Sequence, residues 1–109
     1  MELLSITKEI METAHRLQNA STEIFFLGKA KAETERQYRR ALMMEIMKLK
    51  ADKMPATLIS DVARGNVADL LFERDAAEVK FKAAMESMAA LKSTLSALQS
   101  VLRIQEDAA

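Results

Sequence analysis

The chain has no cysteine, no tryptophan, one proline, one histidine and two glycines. Without cysteine there is no disulfide framework, no thiolate nucleophile and no cysteine-ligated zinc. No Ser/His/Asp arrangement and no glycine-rich phosphate loop occurs, so catalysis has little to stand on. A non-enzyme is therefore expected, with no cofactor and no metal. Charge of one sign is missing too: sixteen basic residues balance sixteen acidic ones, and the net charge is zero. A protein that coats duplex DNA usually needs a clear basic excess, so duplex DNA is not the expected partner, although a local basic pocket is still allowed. Long apolar runs are lacking. The longest, such as Ile24 to Leu27, are far too short to span a bilayer. The opening MELLSITKEIME carries acids where a signal peptide has a basic n-region. A reducing cytoplasm is the expected setting, with no membrane partner.

What is present points to helices. Half of the residues are hydrophobic and 29% are charged, the balance of a chain that folds. Ala, Leu, Met, Glu, Lys and Arg dominate, and these are helix formers. The expected class is all-α, with one helical domain over residues 1–109. A first helix from about 3 to 51 carries apolar residues at Leu3, Ile6, Ile10, Leu17, Ala20, Ile24 and Leu27, spaced by threes and fours. The seam resumes at Tyr38, Leu42, Ile46 and Leu49. Asn19, Ser21 and Thr22 are possible caps and Gly28 a possible kink, so a break near 19–28 is left open.

Asp52 to Asn66 forms the corner. Pro55 stops the first helix, Thr57 caps a short helix over 57–64, and Gly65 ends it in the left-handed conformation. A last helix covers about 67–105, leaving 106–109 as a frayed tail. Two long helices joined this way form an antiparallel hairpin. A fold-back centred near Leu58 places Glu78 near Tyr38 and Arg74 near Leu42. Phe25, Phe26, Met43, Met44 and Met47 widen the apolar face beyond one stripe, so a homo-oligomeric bundle is expected, a dimer or a higher ring.

The apolar seams are interrupted by charge. Lys31 and Thr34 or Glu35 fill seam positions on the first helix, and Arg74 and Glu78 fill them on the last. The interruptions fall in one layer. One reading is an ion-pair network that fixes register. The other is a pocket in which Lys31, Glu35, Tyr38, Arg39, Arg40, Arg74 and Glu78 surround a small anionic ligand, with guanidinium forks for phosphate and the Tyr38 ring for a base. Weaker constellations are Glu12 and His15 at the spacing of di-metal bundles, and the acidic pairs Glu9/Glu12 and Glu73/Asp75. TLISDVARGNVADL has the order of a helix-turn-helix, but the acids and apolar residues after Gly65 suit a packed corner better than a DNA groove. Met43, Met44 and Met47 form either core or an adaptable docking surface.

The stretches LGKAKAETERQYRRAL, TLISDVARG, ADLLFERDAAEVKFKAA and ALKSTLSALQSVLRIQ resemble small helical proteins encoded by phages and prophages of Gram-positive bacteria, often beside single-strand annealing or single-strand-binding genes. The resemblance covers about Leu27 to Gln105 and includes the charged layer. It implies a phage origin and a place in the cytoplasm of the infected cell. Two functions fit. One is a non-catalytic oligomer that sequesters a nucleotide-like host-defence signal between its helices. The other is a structural or adaptor protein in phage DNA recombination or replication, which binds a phage or host protein.

Overall fold

A computed structural model describes residues 2–108 as three helices: α1 (Leu3–Ala51), α2 (Ala56–Asn66) and α3 (Ala68–Ala108). No break occurs between residues 19 and 28. Two of the side chains that might have capped a new helix, Asn19 and Thr22, are turned back onto the preceding turn. Thr22 Oγ1 donates to the Gln18 carbonyl, and the Asn19 amide meets the His15 ring, four residues earlier in each case. Such back-bonding satisfies a side-chain polar group without interrupting the helix. Thr34 does the same with the carbonyls of Ala30 and Lys31. α3 also runs past the expected end at Gln105 and is helical through Ala108.

The chain reverses at a lysine. Lys53 has φ 61°, the left-handed region that usually selects glycine. Its N–H bonds the Lys50 carbonyl at 3.0 Å, and the Met54 N–H bonds the Leu49 carbonyl at 3.1 Å. Those two bonds close α1 in a Schellman motif, and Met54 packs on Leu49 as the motif's hydrophobic contact. Pro55, at φ −54° and ψ 131°, then leads directly into α2 with no side-chain cap. Thr57, the expected cap, is already inside the helix. Gly65 is inside α2 as well, with no positive φ, so it does not end the helix as expected. Instead α2 gives way to α3 at Val67 (φ −112°, ψ 21°), whose N–H still bonds the Ala63 carbonyl.

The helices gather into two compact units. Unit one is α1 as far as Phe26 with α3 from Lys82 onward. Its α1 seam is Ile6, Ile10, Thr13, Leu17, Ala20 and Ile24, with Ile6 fully buried. Half-buried Met88, Leu91, Leu95, Leu98 and Leu102 face it from α3 at three- and four-residue spacing. Thr13 is buried in this seam although its polarity hid it from the apolar pattern.

Unit two is Leu27–Phe81 and holds the rest of α1, all of α2 and the start of α3. Leu49, Ile59 and Ala63 form its buried cluster, with Leu42, Ile46, Met54 and Val62 packed around them. Contacts between α1 and the returning chain run antiparallel. Gly28 meets Phe81, Glu35 meets Arg74, and Glu45 accepts a 2.8 Å hydrogen bond from Asn66. The expected pairing is therefore off by about one to two helical turns. Arg74 lies on Tyr38 and not beside Leu42. The reason is the reversal itself, which sits at Lys53 to Pro55, ahead of the assumed centre at Leu58.

Candidate functional site: a charged layer in unit two

Within unit two, Gly28, Lys31, Ala32, Glu35, Arg74, Glu78 and Phe81 line one groove of about 550 Å³. Gly28 makes the room for it. A Cβ there would stand 3.2 Å from Phe81 Cε2, so the ring occupies the space a side chain would have filled. Close approach, and not a kink, explains a glycine in the middle of a long helix, where it costs about 1 kcal/mol against alanine. Lys31 Nζ then sits 5.3 Å from the Phe81 ring centroid, within cation–π range.

Glu35 bridges two arginines. Its Oε1 accepts from Arg39 Nε at 2.5 Å, and its Oε2 lies 3.4 Å from Arg74 Nε. The Arg39 hydrogen bond, helped by the charge of Arg74, holds the Glu35 carboxyl below the ordinary carboxylate range. Arg74 lies over the Tyr38 ring, 4.7 Å from its centroid, and donates through Nε and Nη2 to Asp75 Oδ1 at 3.2 and 3.1 Å. Asp75, followed by Glu35, raises the Arg74 guanidinium above its ordinary range. Tyr38 is buried beneath this layer.

Four of the seven expected residues, Lys31, Glu35, Arg74 and Glu78, thus share one groove, and Tyr38 floors the guanidinium. Arg39 reaches the layer only from outside, with its side chain 76% exposed. Arg40 does not belong to it. Two residues beyond the seam position Tyr38, it points away from α3 and lines a separate groove of about 570 Å³ with Arg39, Met43, Met47 and Lys50. Sequence reasoning missed Gly28 and Phe81 as site residues. A glycine more than about six turns from either end of a long helix was the available signal.

Comparison of the chain with protein-family models, curated proteins and solved structures found no match. The chemistry of the site must speak for itself. Lys31 and Arg74 are balanced by Glu35 and Glu78, so the layer carries almost no net charge. An incoming anion would have to take the place of Glu35 at its longer, 3.4 Å contact with Arg74. Elsewhere, Glu12 and His15 are exposed, and among the described residues no group of three or more His, Asp or Glu is placed to hold a metal ion. Among those residues, too, no helix is long and apolar enough to cross a membrane. Val67, at the junction, is buried, and Leu70 and Leu71 in the first turn of α3 are half-buried, as the packed-corner reading of that segment expects.

Proposed function

We propose that the chain is a non-catalytic protein-interaction module. Unit two presents apolar helix faces to a partner, and the charged layer keeps α1 and α3 in register beneath them. One observation carries this reading. Unit two has a buried cluster of its own, yet Met43 and Met47 are 60% and 64% exposed, and Phe72 and Val79 are 73% and 66% exposed. Large apolar side chains grouped outside a completed core mark binding surfaces, and methionine adapts readily to a partner's shape. With the phage resemblance, this reading makes the chain an adaptor in phage DNA recombination or replication, working in the cytoplasm of the infected cell.

A photoreactive amino acid placed at Met47 or Phe72 in living cells tests the proposal. A discrete covalent adduct with another polypeptide is expected from both positions. Unmodified chain at both positions would overturn it.

A second reading rests on the groove. Lys31 and Arg74 beside the Phe81 ring suit a small anion with a flat apolar part, such as a nucleotide-like signal. Saturating mono-, di- or cyclic nucleotide should then raise the melting temperature by several degrees. Arg74→Met should abolish that shift, and a flat response across the panel removes this reading.

A further inference from the structure

Two stripes stand out among the exposed side chains of unit two. On α1, Arg36, Arg40, Met43, Met47 and Lys50 recur at spacings of four and three, outside the seam that meets α3. On α3, exposed Asp69, Phe72 and Val79 and half-buried Ala76 recur at three and four, with Glu73 and Asp75 beside them. Spacing of this kind brings each set onto one face of its helix, where a further helix can pack along it. Met43 and Met47 are the apolar centre of one stripe, and Phe72 and Val79 that of the other. Their borders carry opposite charge. Between Leu27 and Lys53 the chain has eight Lys or Arg against four Asp or Glu, while the α3 stripe starts with acids.

Resting on the interaction reading above, we infer that the partner is a second copy of this chain, with the Arg40–Met43–Met47 stripe of α1 docked on the Asp69–Phe72–Val79 stripe of α3. Charge selects this pairing over its alternatives. Two α1 stripes face to face would set Arg36, Arg40 and Lys50 against each other, and two α3 stripes would oppose Asp69 and Glu73. A foreign acidic helix could cover the α1 stripe but would leave Phe72 and Val79 bare. A second copy covers both kinds of stripe with one type of contact, repeated head to tail around a closed ring. Ala76, the small residue between Phe72 and Val79, leaves room for a methionine to enter.

Charge reversal in pairs tests this. Wild type should sediment as a dimer or larger assembly at micromolar concentration. Arg36→Glu with Arg40→Glu should weaken association at least about tenfold, and so should Asp69→Lys with Glu73→Lys. Each variant should keep its helical circular dichroism, since these side chains lie outside both seams; Arg36 pairs along its own helix with Glu33. Mixing the two variants should restore association through the reversed pair. A monomeric wild type, variants that assemble like wild type, or a mixture that fails to re-associate would each overturn the inference. The cellular adduct separates this failure from that of the wider reading. A product with the mass of two chains supports self-pairing, a discrete product of any other mass overturns it and leaves the interaction reading standing, and no product overturns both.

Discussion

Unit one and unit two use the same pair of helices and hold them together differently. In unit one a single aliphatic stripe on each helix does the packing, and most of its side chains are only half buried. In unit two a third helix closes over the pair and buries Leu49, Ile59 and Ala63 together, while the next turns of the seam give way to charge. Two helices alone bury a line; a third gives that line depth. The charged layer lies in the same unit as this buried cluster.

The largest test of this contrast is truncation of the core. Leu49→Ala should cost about 2–5 kcal/mol in urea unfolding, the range for a buried leucine. Leu95→Ala, in the half-exposed seam of unit one, should cost about half as much by area. Equal losses would mean that the third helix adds nothing. Next come the glycines. Gly65 has open space where a Cβ would go, so Gly65→Ala should stabilise by up to about 1 kcal/mol through helix propensity. At Gly28 the same gain is set against the Phe81 ring, and Gly28→Ala should fall behind Gly65→Ala by about 1 kcal/mol or more. Lys53→Gly relieves a left-handed lysine and should add about 0.5–1 kcal/mol, read as a shifted urea midpoint.

The smallest effect is on acid stability. The carboxyls of Glu35 and Glu33 are held below their ordinary value of 4.5, chiefly by hydrogen bonds from Arg39 and Arg36 respectively. A group whose folded-state pKa is lowered contributes stability above its unfolded pKa and loses it as pH falls through the folded value. Melting temperature should therefore drop below about pH 4.5, and Glu35→Gln should make that drop shallower. An unchanged acid slope in the Glu35 variant would show that the Arg39–Glu35–Arg74 bridge adds nothing to the fold.

Much of this was legible in the sequence because it depends on spacing alone. Three- and four-residue recurrence marks both seams, and the same recurrence brings Lys31, Glu35, Arg74 and Glu78 into one layer. Features that depend on one residue behaving unlike its type were not legible. Lysine seldom takes a positive φ, so Lys53 gave no sign of the reversal, and a fold-back placed at Leu58 moved the cross-pairs by about one to two turns. Thr13 fills a seam slot that polarity argues against. Thr22 and Asn19 look like caps until their bonds to the preceding turn are seen. Arg40 entered the expected site because it adjoins Arg39 in sequence, although one residue on a helix is a large rotation.

The turn at Lys53 also bears on the order in which the chain assembles. Leu49 and Met54, which meet there, are five residues apart, whereas Glu2 and Leu3 share a surface groove with Ile104 and Gln105 across almost the entire sequence. Contacts between near neighbours need little loop closure and form first. Folding should start at the bend and proceed like a zip toward the two ends, so backbone amides around Leu49 will exchange with solvent last and those near Leu3 and Ala108 first.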